Sequence, residues 1–286
     1  MTNAGDTWPI PHGSLDGATL QWPQRYRWPP AHLWFDSLLV GFRRHLDVRA
    51  APIEQPPGPV VRAELRRGSD RWPLAFDFSD FPDIDEEIAR ASTVYFKLQH
   101  AREGYGLAQV VPGGYVPMGA AIHRHLWWLR RARATLPPRD DVYGRFSVHS
   151  EARRAAVEAL EAQRRFRYHG DGVRRYLPYL YDIARSRVCV DLPGRGPLTF
   201  RLVEYLAIGS CVVALPHEVQ LPVPLADGEQ LVYAHSPDEL VDRAAELLQD
   251  DQKRRELARA SRAYYDRFLA PRQLAAYYLT RIGSAR

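Results

Sequence analysis

The chain has 286 residues, 45% of them hydrophobic, so its apolar side chains suffice for the cores of two domains of ordinary size. Its formal net charge of +5 favours anionic partners such as phosphates, nucleotides, RNA or acidic membranes, although an arginine-rich composition alone gives the same balance. No apolar run reaches the length of a membrane span, which excludes a membrane-spanning helix.

The N-terminal residues and the cysteines both indicate a cytoplasmic protein. Residues 1–17 contain neither the charged nor the apolar region of a signal peptide. Cys189 and Cys211, the two cysteines, lie in apolar runs and are expected to be small core residues in a reducing compartment. No close pair of Cys or His residues has the spacing of zinc ligands, so no metal site is predicted.

The first half of the chain follows no simple repeat. Residues 1–30 are rich in Pro, Gly and Trp and show no clear period. The predicted elements after them are a helix over 31–48, strands over 60–65 and 73–78, a helix over 84–91 and a strand over 93–98. A glycine-rich loop follows, and then a basic amphipathic helix over 121–134. This helix is expected to pack on the protein, with contact to a membrane surface as the alternative.

Polar residues suited to proton transfer follow the predicted strands of this half. Asp77 and Asp80 come at and just after the end of one strand, where sites on α/β sheets tend to form. His100 and Glu103 open the glycine-rich loop after the next strand. Each carboxylate also fits the simpler role of a turn or cap residue.

A proline-rich charged segment over 136–141 is typical of a linker, so a domain boundary is expected there. The predicted domains span 1–138 and 139–268, with a last helix in 269–286. The second domain is predicted to contain strands over 142–147, 188–192, 211–215 and 230–233 with helices between and after them. Its alternation of strands and helices indicates a parallel sheet.

The segment over 188–213 has the features of a phosphate-binding unit. A short apolar strand leads into a loop with Gly194, Arg195 and Gly196, and a helix and a second strand follow. Glycines let the backbone approach a ligand closely, and Thr199 is a suitable N-cap for a helix whose first N–H groups can bind an anion. Arg195 and Arg201 add the planar cations that suit phosphate.

Glu204 lies three residues beyond Arg201, so the two side chains can share one helix face. A carboxylate at that place can accept hydrogen bonds from a ribose diol. The alternative is that Arg201 and Glu204 form an ion pair on a solvated face and the glycines only form a turn.

The run LPGRGPLTFRLVEYLAIGSCVVA, followed by LADGEQLVYAHSPDELVDRAAELL, resembles the donor-binding half of GT-B glycosyltransferases. It is most similar to the exostosin-like and group 1 branches, in which a helix with the pattern T-x-R-x-x-E-x-x-A-x-G lies beneath the sugar nucleotide. The resemblance covers residues 143–279. It implies an α/β chain with two Rossmann-like domains facing a cleft, the N-terminal one short and irregular, and a last helix that packs back on the N-terminal domain.

The resemblance also implies an activity, namely transfer of a sugar from a nucleotide-diphosphate-sugar donor to an acceptor hydroxyl or other nucleophile. Thr199 and Arg201 would lie near the diphosphate, Glu204 near the ribose, and His217 near the base or sugar. Arg145, which follows a strand and a glycine, matches a position that often binds phosphate, although it also fits an ordinary surface arginine.

Catalysis of this kind stabilises a leaving diphosphate with cations and helix N-termini and requires no obligatory metal or other cofactor. An inverting transferase needs a base for the acceptor, and Asp77, Asp80 and His100 are the candidates. The predicted partners are a nucleotide sugar and an acceptor of undefined class, without obligate nucleic acid. A non-catalytic nucleotide- or RNA-binding protein is the alternative, and a degenerate transferase acting as a scaffold is a third.

Overall fold

The computed structural model describes residues 7–10, 13, 15–148, 150–170, 172 and 174–285. The helices are α1 (Ala31–Phe42), α2 (Glu86–Ala91), α3 (Ala121–Thr135), α4 (Glu151–Ala162), α5 (Tyr176–Ala184), α6 (Phe200–Ile208), α7 (Pro237–Gln249), α8 (Asp251–Tyr264), a wider π-type turn (Tyr265–Leu269) and α9 (Pro271–Ser284). The strands are β1 (Thr19–Pro23), β2 (Asp47–Ala51), β3 (Val60–Arg67), β4 (Asp70–Asp77), β5 (Val94–Lys97), β6 (Val110–Pro112), β7 (Asp140–Tyr143), β8 (Tyr168–His169), β9 (Ser186–Asp191), β10 (Cys211–Ala214) and β11 (Val232–Tyr233).

The contacts divide the chain into two compact units. Unit 1 consists of the described residues as far as Ala120, of Glu218–Val223, and of the described residues from Arg267 on. Unit 2 consists of Ala121–His217 and Pro224–Asp266, as far as these are described. Both units combine helices with a sheet, so the predicted α/β class is confirmed. No helix among the described residues is both long and apolar enough to cross a membrane.

Unit 1 is built on a six-stranded mixed sheet with the order β2-β1-β3-β4-β5-β6. β3 pairs antiparallel with β1 and β4, whereas β4, β5 and β6 run parallel. The antiparallel pairs are the irregularity expected for this half. Its core contains stacked and edge-to-face aromatic rings, and Phe76 and Phe96 on adjacent strands pack with Tyr278 of α9.

Helix α9 belongs to unit 1 and packs against α1. The two helices meet closely at Gly41, where any Cβ atom would collide with the carbonyl group of Pro271. The hydroxyl groups of Tyr277 and Tyr278, also on α9, donate hydrogen bonds to the carbonyls of Pro112 and Gly113. These contacts fix the loop that follows β6 to the C-terminal helix.

Unit 2 is built on a five-stranded sheet in which every pair is parallel, with the order β11-β10-β9-β7-β8. Alternate residues of its central strands, such as Val188 and Val190, pack in one apolar cluster with residues of α4 and α7. The cysteines of β9 and β10 are both fully buried and unpaired, as predicted. The short parallel strands and intervening helices give this unit a Rossmann-like arrangement.

Candidate functional site

The strand order of unit 2 creates one place where a ligand is expected. From β7 the chain runs through α4 to β8 on one side, and from β9 it runs through α6 to β10 on the other side. In sheets of this kind the carboxyl ends of the two strands from which the order diverges bind ligands in the crevice between their loops. The loops after β7 and β9 hold five of the predicted donor-binding residues: Arg145, Gly194, Arg195, Gly196 and Thr199.

The loop after β9 is compact, because the Gly194 N–H donates a hydrogen bond of 2.8 Å to the Gly196 carbonyl. Thr199 is the N-cap residue of α6, as predicted, but its hydroxyl makes no capping bond. Instead it donates a 2.8 Å hydrogen bond to a carboxylate oxygen of Asp191. The side chain at the N-cap therefore leaves the first N–H groups of α6 available to an anion.

Asp191 joins the loops after β9 and β10. One carboxylate oxygen accepts the Thr199 hydroxyl and the other lies 3.0 Å from Nε2 of His217. The other ring nitrogen of His217 lies 3.0 Å from the hydroxyl of Tyr233. A neutral ring with its proton on Nε2 satisfies both contacts, since it donates to Asp191 and accepts from Tyr233. The His217 ring thus connects Asp191, at the end of β9, with Tyr233 of β11, and its contact with the base or sugar of a donor stays a prediction.

The Arg201 guanidinium packs on two aromatic rings. Its central carbon lies 4.9 Å from the centre of the Phe146 ring and 5.7 Å from that of Phe200. Arg153 approaches the same Phe146 ring at 5.6 Å. Among the described residues, the shielded Nε atom of Arg201 finds no hydrogen-bond acceptor, and the same holds for Nε of Arg153. Two guanidinium groups that share one ring create a local excess of positive charge.

Arg153 connects the two loops of the site. Its terminal nitrogens donate to the carbonyls of Ser147, in the loop after β7, and of Leu192, in the loop after β9, at 2.7 and 3.0 Å. Burial, and then the charge of the nearby Arg201, lower the pKa of Arg153. Asp191 opposes this shift, and the pKa of Arg201 itself is raised, because the charges of nearby groups, Asp191 and Glu204 among them, outweigh the effect of burial.

Arg145 is held in place by its own unit. Its terminal nitrogens donate to Nε2 of His169 at 2.6 Å and to the carbonyl of Gly172 at 2.5 Å. His169 in turn places Nδ1 3.1 Å from the carboxylate of Asp140. Arg195 is exposed at the tip of the loop after β9. The loops after β7 and β9 therefore carry one arginine that is held by hydrogen bonds and one that is exposed.

Glu204 lies on the next turn of α6 and is fully buried. Its carboxylate accepts hydrogen bonds from the hydroxyl groups of Tyr176 and Tyr179 at 2.8 and 2.7 Å. Burial and the adjacent carboxylate raise the pKa of Tyr179 well above its usual value, so the phenol remains a donor. These bonds attach α5 to α6. A contact between Glu204 and a ribose stays a prediction.

The candidate bases lie together beyond the carboxyl ends of the parallel strands β4 and β5 of unit 1. Asp77 is buried and accepts from Lys97 Nζ at 2.8 Å and from the Tyr95 hydroxyl at 2.6 Å. His100 is also buried, with Nδ1 2.8 Å from the carbonyl of Ala101, and burial lowers its pKa. Asp80 is exposed.

The sequence alone did not identify several residues of the site. Asp191 carried a weak signal, since it is a charged residue at the end of an apolar strand, and such residues often face a ligand loop. Arg153 and Phe146 carried no signal, because their role depends on contacts between distant segments, such as that of Arg153 with Leu192, 39 residues further along the chain. Among the described residues, no group of three or more His, Cys, Asp or Glu side chains comes together to hold a metal ion.

The comparisons with known proteins identify a family. A family model described as glycosyl transferase-like matches residues 123–280, which is more than half of the chain. No curated protein sequence matches the chain.

Solved structures similar to this chain include that of Anabaena Alr3699/HepE in complex with UDP, at 15% identity and a TM-score of 0.44, over 68% of this chain and 63% of that one. The complex of the same protein with UDP-glucose has 14% identity and a TM-score of 0.42, over 70% and 67%. A GtfA/B complex has 17% identity and a TM-score of 0.34, over 70% and 44%. The chain therefore spans less than two thirds of the first of these proteins.

Proposed function

The chain belongs to the glycosyl transferase-like family, and on that premise we propose that it transfers a sugar from a nucleotide-diphosphate-sugar donor to an acceptor hydroxyl or other nucleophile. The donor diphosphate binds in unit 2, at the carboxyl ends of β7 and β9. The nucleotide sugar is a substrate, and no further cofactor takes part.

One observation carries this proposal: Arg201, in the first turn of the helix that follows the glycine loop, has a buried Nε atom for which the described residues provide no acceptor. It packs on Phe146 and Phe200, which hold the planar cation in one orientation. A buried donor that is left unsatisfied costs about 1–3 kcal/mol. A phosphate oxygen supplies the missing acceptor for this atom in a charge-assisted hydrogen bond.

The chemistry follows from the charge that the reaction develops. As the bond between the sugar and the diphosphate breaks, negative charge accumulates on the leaving oxygens, so groups that bind these oxygens more strongly in the transition state accelerate the step. Arg201, Arg195 and the N-terminal N–H groups of α6 supply such stabilisation, and Arg145 binds the more distant phosphate. Since fixed cations already perform this task, we propose that the transfer is independent of a divalent metal.

The acceptor requires a group that removes its proton if the transfer inverts the anomeric centre. Of the three candidates, Asp80 is the one exposed to solvent, and we assign it the role of base. Asp77 and His100 are buried, and both already bond to neighbouring groups. Their proposed part is to shape the loops after β4 and β5.

The first experiment is a thermal-shift panel of the intact chain with UDP, GDP, TDP, ADP and CMP. A ligand present at about 100 times its dissociation constant stabilises the folded state by about 2.7 kcal/mol. We expect one diphosphate to raise the unfolding midpoint and the monophosphate to have little effect. Hydrolysis or transfer of the matching nucleotide sugar, measured with and without EDTA, then tests both the activity and its independence of metal.

Variants test the location of the site. Arg201→Ala removes a charge-assisted interaction of about 1.5–3 kcal/mol, so diphosphate affinity should fall about 10- to 150-fold. Arg164→Ala is the matched control, since Arg164 is an exposed arginine between α4 and β8, at the opposite end of the sheet. Equal affinity of the Arg201 variant and the parent would refute the site. Binding of RNA in a gel-shift assay, with no response to any nucleotide, would favour the non-catalytic alternative.

A further inference from the structure

Two adjacent tryptophans on α3 are exposed to solvent. Trp127 exposes 72% of its surface and Trp128 48%, and Leu177 on α5 exposes 42%. Large apolar side chains exposed side by side mark interaction surfaces more often than single ones do. None of these residues belongs to the proposed donor site, so they need a separate explanation.

The exposed residues form one continuous face. Helices α3 and α5 pack side by side. The Trp128 ring stacks on the Tyr181 ring with 5.2 Å between centres and 20° between planes. Leu177 precedes Tyr181 by one helical turn, so these two share a face of α5, and Trp127 is the exposed residue next to Trp128 in the chain. We call the surface formed by Trp127, Trp128, Leu177 and Tyr181 the tryptophan face.

The tryptophan face has positive charge at its edges. Arg124 and Arg131, both exposed, lie about one turn before and after Trp127, and the Arg131 guanidinium approaches the Trp127 ring at 5.8 Å. Across α3 and α5, every residue of which is described, the one acidic residue is Asp182. It is buried and forms an ion pair with Arg139 at 2.8 Å, so it does not offset the surface charge.

We propose that the tryptophan face docks on the surface of an anionic lipid bilayer. Tryptophan and tyrosine rings favour the headgroup region, where the ring body meets acyl chains and the polar edge meets water. Guanidinium groups at the rim of the face lie at the level of lipid phosphates. Asp266, a partly exposed carboxylate beside α3, is paired with Arg130 at 2.6 Å, whereas Arg124 and Arg131 give the rim of the face the positive charge that an anionic bilayer complements. The proposal is independent of the proposed function.

The test uses the intact chain and vesicles in a sedimentation assay. We expect binding to vesicles of mixed phosphatidylcholine and phosphatidylglycerol, at least about tenfold weaker binding to phosphatidylcholine alone, and a loss of affinity at high salt. Trp127→Ala should weaken binding to the mixed vesicles about tenfold through lost ring burial. The double variant Arg124→Glu/Arg131→Glu should abolish it. All three substitutions are at exposed positions, and far-UV circular dichroism verifies that the variants fold.

Matched controls are Phe81→Ala, which removes a ring that is 55% exposed on unit 1, and Arg164→Glu, which reverses an exposed charge between α4 and β8. Both should bind the mixed vesicles like the parent chain. Absence of binding to the mixed vesicles would overturn the proposal, as would equal binding by Trp127→Ala and the double arginine variant. Self-association that Trp127→Ala abolishes, without vesicle binding, would assign the face to a second copy of the chain instead.

Discussion

The buried ion pair between Lys97 and Asp77 in unit 1 gives a quantitative test of whether Asp77 has a structural or a catalytic role. The Lys97 side chain is 0% exposed and that of Asp77 is 2% exposed, and the two charged groups are 2.8 Å apart. Tyr95 donates a further hydrogen bond to the same carboxylate oxygen, and the Ser79 N–H donates to the other. We predict that Lys97→Met, which keeps the chain length but removes the charge, strongly destabilises unit 1.

The magnitude follows from the charge that remains. Removing one partner of a buried pair typically costs about 3–5 kcal/mol, because the other charge is left without compensation. For a unit of this size that loss lowers the unfolding midpoint by about 10 °C. Burial lowers the pKa of Lys97, and Asp77 opposes the shift, so Asp77→Asn leaves a lysine that is costly while protonated. Lys97 binds its proton more tightly in the unfolded chain than in the folded one. The Asp77→Asn variant should therefore gain stability as the pH rises towards about 10.

The assay is urea unfolding of the parent, Lys97→Met, Asp77→Asn and the double variant. We expect the double variant to be more stable than the sum of the single losses predicts, with a coupling of about 2 kcal/mol or more. Arg90→Met, which breaks the exposed Arg90–Glu86 pair at 2.7 Å, is the control and should cost less than about 1 kcal/mol. An Asp77→Asn chain with parental stability and no turnover would refute this reasoning and return Asp77 to a catalytic role.

Three further predictions concern unit 2. Burial raises the pKa of Cys189 to about 11 and of Cys211 to about 12, so thiol reagents should label both only when this unit unfolds. Burial lowers the pKa of His123 to about 4, below an unfolded value of about 6.5. Between these two pKa values the unfolded state therefore binds more protons than the folded state. The free energy of unfolding should fall by about 2 kcal/mol when the pH is lowered through this range. In acid unfolding curves, His123→Gln should remove this dependence of stability on pH. Thr199→Val should cost about 1–2 kcal/mol in urea unfolding and weaken diphosphate binding, whereas Thr280→Val, whose hydroxyl has no partner in the described chain, should be neutral.

Segments with a strong periodic pattern were predictable from the sequence. The helix predicted over 121–134 is observed over Ala121–Thr135. Ser236 caps α7 in the S-x-x-E arrangement of a capping box, with its hydroxyl accepting from the Glu239 N–H at 3.1 Å. Gly209 ends α6 in the left-handed region at a φ of 82°. In each case a local interaction determines the outcome, so the local sequence is sufficient.

The elements that were wrong depend on pairing between distant segments. The helix predicted over 31–48 ends at Phe42, because residues from Asp47 on form β2 and pair with β1. Strand β1 itself was not predicted, since Thr19–Pro23 lies in a stretch rich in Pro and Trp without a clear alternation. Partners supplied by tertiary structure override local propensity here, and a single sequence does not contain that information.

The same distinction explains how far the site was predictable. The glycine loop, Thr199 and Arg201 are contiguous in the chain, so spacing and residue type identified them together. Asp191 and Arg153 act by connecting that loop to segments elsewhere. A carboxylate oxygen of Asp191 lies 3.0 Å from His217 Nε2, and a terminal nitrogen of Arg153 lies 3.0 Å from the Leu192 carbonyl oxygen. Such contacts exist only once the sheet has brought the loops to one edge.

Asp191 also shows why the site imposes a cost on the fold. A carboxylate that is 0% exposed at the end of a core strand is expensive to bury, and an apolar residue there would serve the sheet better. Its oxygens are used instead to hold Thr199 on one side and His217 on the other. Because that network engages the Thr199 hydroxyl, the first N–H groups of α6 remain available next to Arg201. We propose that ligand binding accounts for this buried polar group, since packing of the sheet does not require it.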